Sequence, residues 1–222
     1  MHAHRIITAC LMMALLMSTL ALESPAFAVA TDSPIIRMEG GQVMLEVVGE
    51  VINSATPAPL GSSIQFGYVS FLKDVDSVFT GSPENETTAR FTFFTEVNTT
   101  RVTGHGPFSI VIREGTTTVY LNNSPAGFGT PDSFRSGTPI QVSSIHQQVI
   151  VDTVEKTFTV VNLNTITAAS KFLLDSAIKQ IGKPGEAFRT VLQGVLVVRG
   201  GTPPPTGHFA GYAVGADHKN TD

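Results

Sequence analysis

The chain has 222 residues and a formal charge of −4, from 14 Lys and Arg against 18 Asp and Glu, which is the size of one domain with additions. Only 14% of residues are charged while 42% are hydrophobic, which excludes a disordered polyelectrolyte, and no basic cluster exists to grip nucleic acid. Thr, Val, Gly and Pro are abundant and Trp is absent, a mixture that favours strands joined by turns.

Residues 1–28 read as a cleavable signal peptide. Arg5 gives a positive start, residues 6–22 are almost unbroken apolar sequence, and Glu23-Ser24-Pro25 precedes Ala26-Phe27-Ala28. Small residues at −3 and −1 place cleavage after Ala28, with Ala30 as the alternative. The run is short for a membrane span of about 20 residues, and no second one follows, so stable membrane insertion after cleavage is not expected. Ile7-Thr8-Ala9-Cys10 imitates a lipoprotein box, but Cys10 precedes the apolar run instead of following it. Cys10 is the only cysteine, so the exported chain has no disulfide and no thiolate chemistry. Its stability must come from an apolar core, which about 194 residues can supply. The expected location is secreted or periplasmic.

After a lead-in over 29–41, residues 43–52 and 64–72 read as strands, the latter with Ile64, Phe66, Tyr68 and Leu72 on one side. Phe91, Phe93 and Val97 alternate within 88–98, after a loop over 77–85. Residues 107–122 read as a hairpin about Glu114-Gly115, pairing Arg113 with Thr116. Phe108, Ile110 and Ile112 then share an apolar face with Thr117, Val119 and Leu121, leaving Arg113 and Tyr120 on the polar face. There they form a possible carbohydrate or protein contact. A second hairpin covers 140–167 around 153–156, with two registers open, and residues 188–198 close the series.

Pro57-Ala58-Pro59, residues 124–131 and Lys183-Pro184-Gly185-Glu186 read as loops, the last as a type II turn with Gly where φ is positive. Leu174, Ala177, Ile178 and Ile181 stand at helical spacing, which predicts one short helix over 171–181 with Ser170 as N-cap; a strand competes, since Phe172 and Leu174 alternate. The antiparallel β domain is expected over 42–200, and 201–222 as a Pro/Gly-rich linker and tail, whose His208-Phe209-Ala210-Gly211-Tyr212 is able to dock back.

About seven or eight antiparallel strands with one helix make the chain mainly β: a single barrel, with a two-sheet sandwich as the alternative. An exported chain of long antiparallel strands with Gly-rich corners resembles the allene-oxide-cyclase and dirigent barrels in architecture. That likeness rests on no shared motif and implies a barrel rather than an activity.

Chemical motifs are scarce. His105, His146, His208 and His218 stand at no metal-ligand spacing, and Asp74-Val75-Asp76 continues into Val78 and Phe79 where a calcium loop needs oxygen and Gly. Neither a metal nor a cofactor is expected. No nucleophile elbow, phosphate loop or dinucleotide fingerprint occurs. The most informative feature lies in the second hairpin, where Phe158 and Val160 give way at the same parity to Asn162 and Asn164. These oppose His146, Gln147 and Gln148. Amides that share a face with large apolar residues must be paired, or must meet water or a ligand, because a buried unpartnered amide costs about 1–3 kcal/mol. Asn162, Asn164, His146, Gln148 and Gln147 are therefore the candidate ligand-binding residues, and a small apolar molecule is the expected ligand. The alternative is that they pair with one another or face solvent.

Two functions fit. One is an exported, non-catalytic protein that binds a small apolar ligand or a partner. The other is a cyclase or isomerase acting on a small hydrophobic substrate, with His105, His146 or Asp152 as its acid–base group.

Overall fold

A computed structural model of the chain describes residues 35–54, 61–197 and 206–216. The expected signal peptide, the loop at 57–59 and His218 lie outside these residues. The elements in chain order are β1 (Ile35–Ile36), β2 (Val43–Asn53), β3 (Ser62–Leu72), β4 (Phe91–His105), β5 (Phe108–Leu121), a 3-10 turn (Pro131–Arg135), β6 (Thr138–Asp152), β7 (Thr157–Ala169), β8 (Phe172–Leu174), β9 (Ala177–Ile181), β10 (Ala187–Val197) and β11 (Thr206–Gly215).

Eight strands close into an antiparallel barrel in the order β10-β11-β2-β3-β4-β5-β6-β7. The barrel, not the sandwich, is the architecture. Strict alternation drives it: along β6, Ile145, Gln147 and Val149 are buried while Ser144, His146 and Gln148 are exposed. Glu46, Glu50, Glu96, Glu114 and Arg189 occupy outward positions. The outer face is mixed, with exposed Phe71, Phe108, Leu163 and Val195 among the charged residues. No helix among the described residues is long and apolar enough to cross a membrane.

Four expectations need correction. Residues 171–181 are not a helix but the hairpin β8–β9. Its turn is Asp175-Ser176, with φ of 47° and 67°. Two consecutive residues with positive φ are what a two-residue hairpin turn requires, and the alternation of buried Phe172 and Leu174 about exposed Leu173 prevails over the helical spacing. Ser170 therefore caps no helix.

Glu114-Gly115 is not a turn either. β5 runs straight through it, paired with β4 on one side and β6 on the other, and the actual turn is Gly106-Pro107. A Cβ on Gly115 would meet Glu96 O at 2.0 Å, so this glycine serves a close strand approach. With no turn the parity does not flip, and Val111, Arg113, Thr117 and Val119 share the inner face.

Residues 206–215, expected in the tail, are the closing strand β11. It pairs with β10 and β2 and buries Phe209 and Ala213. Finally, Leu72 leaves the side of Ile64, Phe66 and Tyr68, because a register shift between Glu46 and Val47 turns it into the main core beside its partner Leu45. The 140–167 hairpin and the type II turn are as expected, with Gly185 at φ 92° and Glu186 N donating to Lys183 O at 3.1 Å.

Two additions complete the domain. Parallel β1 joins β9 and β8 in a small sheet whose Ile36, Phe172, Leu174 and Ile181 enter the main core. Phe172 meets Phe91 edge-on at 5.8 Å, and Gln141 Nε2 donates to Ile181 O at 3.2 Å. This sheet covers the end of the barrel where β4, β6 and β10 begin. On the outer face, Phe134 and Ala126 of the β5–β6 connection pack on Phe66 and Phe94, and Thr92 Oγ1 donates to Phe134 O at 2.8 Å.

Gly49 faces Gly67 in the β2–β3 register. A Cβ on Gly67 would stand 2.1 Å from Val48 O and 2.6 Å from Gly49 Cα, both backbone atoms. Gly67→Ala is expected to destabilise the domain by about 2 kcal/mol or more in a urea titration. Gly81→Ala, where a Cβ meets nothing within 4 Å, is expected to stay within about 0.5 kcal/mol of the parent.

Candidate binding site inside the barrel

The 140–167 hairpin adopts the register in which Gln147 opposes Asn162, and the neighbouring ladders extend this row to Arg113 on β5 and Thr190 on β10. Arg113, Gln147, Asn162 and Thr190 thus form a polar belt over four adjacent strands, with all four side chains turned inward. Gln65 reaches it from β3, on the far side of the barrel.

Gln147 is the hub. Its Nε2 donates to Asn162 Oδ1 at 3.0 Å and to Gln65 Oε1 at 3.3 Å. Its Oε1 accepts from Gln65 Nε2 at 3.0 Å and from Arg113 Nη1 at 3.5 Å. Two donors and two acceptor sites are the whole capacity of a carboxamide, so Gln147 is saturated within the protein. Asn164 is likewise occupied, its Nδ2 donating to Phe188 O at 3.2 Å and Thr190 Oγ1 at 3.0 Å. The expected amide patch is therefore internal, and its members are largely partnered by one another.

His146 and Gln148 do not belong to it. Both point outward, and His146 Nδ1 lies 3.6 Å from Glu114 Oε1 on the outer face. A side-chain period of two separates them from Gln147 by a sheet thickness. The proposed acid–base groups are not inside either. His105 is exposed in the last position of β4, and Asp152 Oδ1 accepts from the N–H groups of Val154 and Glu155 in the β6–β7 turn. Among the described residues no group of three or more His, Cys, Asp or Glu is placed to hold a metal.

The belt leaves two small cavities, with Gln65 lining both. One, of about 50 Å³, is lined by Asn162, Asn164, Phe93 and Leu192 on the side of the small sheet. The other, of about 40 Å³, lies toward the opposite end. Val51, Val149, Val151, Phe158 and Leu196 form its apolar wall, and Asn53, Gln65 and Arg113 its polar part. Larger clefts of about 410 and 300 Å³ lie outside the barrel. In the first of these Arg90 is neutralised by Asp175 at 2.6 Å.

Sequence reasoning put Arg113 on the outer face with Tyr120, but it lines the interior cavity. Its Nη2 donates to Asn53 Oδ1 at 2.8 Å, while Nε is buried without a hydrogen-bond partner among the described residues. Burial pulls its pKa below the ordinary guanidinium value, to about 10. At 1.36 kcal/mol per unit, that is a desolvation cost on the order of 3 kcal/mol. The signal that could have found it is the unbroken alternation Val111, Arg113, Thr117, Val119 once Gly115 is read as a mid-strand glycine.

No protein-family model matches the chain, and no curated protein or solved structure matches it. Function must therefore be argued from the interior geometry.

Gln147→Leu is expected to lower stability by about 3 kcal/mol, because it leaves the buried amides of Gln65 and Asn162 short of partners. Gln148→Leu, one position along on the outer face, is expected to change it by less than about 0.5 kcal/mol. Chemical denaturation of the two variants checks both values.

Proposed function

We propose that the chain is an exported, non-catalytic binding protein whose barrel takes a small ligand, apolar over most of its surface, at the end that Arg113 faces. The supporting observation is the 40 Å³ cavity, with an apolar wall on one side and a guanidinium and two amides on the other. Ligand sites have this character: mostly apolar lining, with a few polar groups that set orientation. The outward placement of His105, His146 and Asp152 leaves the cyclase or isomerase reading without an acid–base group among those residues. Export is the reading of residues 1–28, and the charged residues on the outer face of the barrel suit water around it.

The volume limits the ligand. A site for a drug-sized molecule is about 300–1,000 Å³. By contrast, 40 Å³ is room for about three waters, at about 10–15 Å³ of probe-occupied space each. The site suits a compound of a few heavy atoms, or the end of a longer one.

Native mass spectrometry of the protein purified from its source organism tests this reading. The expected result is a bound small molecule, released on denaturation. A bare protein mass under gentle ionisation would end it, leaving a filled barrel that works through its outer surface.

A further inference from the structure

This inference rests on the binding reading above and names the ligand's chemistry. The end pocket contains one full charge, and nothing in the barrel balances it. The glutamates of the barrel strands point outward: Glu114 lies beside His146, Glu50 beside His208 at 3.1 Å, and Glu96 beside Arg135 at 3.6 Å. At the Arg113 end, the Asp152 carboxylate is occupied by turn N–H groups and Glu155 is exposed. Residues 55–60 and 198–205 contain no Asp or Glu. Arg90, the other arginine with a buried unpartnered Nε, has Asp175 at 2.6 Å. Arg113 has no carboxylate partner among the described residues.

A guanidinium has five N–H donors. Among the described residues, two hydrogen bonds engage Arg113, to Asn53 and Gln147, the second at a long 3.5 Å. These amide oxygens offset part of its desolvation, but they carry no charge to balance it. An anion at the pocket would offset it, and the planar fork of a guanidinium matches a carboxylate. A cavity of about 40 Å³ with valine and phenylalanine walls favours a monocarboxylate with an aliphatic body over a bulkier, more highly charged and more strongly hydrated phosphate.

We propose that the end pocket recognises the carboxylate of a small aliphatic acid, with Arg113 as its counter-ion and Asn53 and Gln65 beside it. The acid group sits at the belt and the aliphatic part runs along Val51, Val151 and Leu196 toward the end of the barrel. Arg113 selects by charge, and the apolar wall rejects acids with polar bodies.

The test compares butyrate with its neutral isostere butyramide on the full chain, by calorimetry and thermal unfolding at matched ionic strength. Butyrate is expected to bind at least tenfold more tightly and to raise the Tm with concentration, as a ligand specific for the native state does. Arg113→Met is expected to lose the butyrate effect and, without any probe, to melt no lower than the parent, since it removes an unbalanced buried charge. The comparison on the parent chain stands even where that variant fails to fold. Equal responses to butyrate and butyramide, or a butyrate effect that survives in Arg113→Met, would overturn the carboxylate assignment and leave the binding reading in place. Should neither probe act, the molecule released in the native mass spectrum decides: an acid upholds the assignment, a neutral compound overturns it alone, and no molecule at all overturns both.

Discussion

A polar side chain turned into a closed barrel costs free energy unless it finds a partner there, because closure leaves no sheet edge and little water to supply one. The interior follows from this constraint. Gln147 stands where four strands bring a guanidinium, two carboxamides and a hydroxyl to one level, and it uses every hydrogen bond a carboxamide can make. Gln65 crosses the barrel to complete the set. The link joins β3 to β6, strands that share no ladder, so the amides act as a strut between opposite walls. Apolar packing on both sides, from Phe93, Phe209 and Leu192 toward one end and Val149, Phe158 and Val51 toward the other, seals the strut from water and so strengthens it.

The two ends of the barrel differ for reasons that lie in the connections. At one end, the chain between β7 and β10 folds into β8 and β9, recruits β1, and inserts four large apolar residues over the opening. At the other, β4–β5 and β6–β7 are joined by short turns that add no apolar cover of comparable size. The small sheet thus covers one end of the core. Close strand approaches at Gly49, Gly67 and Gly115 pull the wall inward. The interior cavities are of the scale of a few atoms, about 40 and 50 Å³.

Much of this was legible in the amino-acid sequence, and the failures share one cause. Alternation over long stretches specified the barrel strands. The loss of large apolar residues at Asn162 and Asn164 marked the one place where the interior turns polar. What alternation cannot tell is whether a glycine ends a strand or sits inside it. Reading Gly115 as a turn flipped the parity of half a strand and placed Arg113 outside. Reading 201–222 as a tail followed from Gly and Pro just before β11, although Gly207, Phe209, Gly211 and Ala213 alternate on its inner face. In β8–β9, four residues happened to satisfy the helical period, and only the Asp175-Ser176 turn, a property of backbone torsion, separates the two outcomes. His146 and Gln148 show the limit of composition: they neighbour Gln147 in the chain, and one step along a strand puts them in solvent.

The fold does not depend on the charge of Arg113. A methionine would fill similar space, add apolar contact with Val149 and Val151, and remove a charge that folding strips of water; replacing buried ionic groups by apolar ones is often neutral or stabilising. The belt does not need it either. Gln147 would lose only its longest contact, at 3.5 Å, and the pairings with Gln65 and Asn162 would remain. Arg113 thus serves Asn53 Oδ1, at 2.8 Å, more than it serves the belt, and it stands on the wall of the cavity as the one side chain there whose burial costs a full charge its hydration.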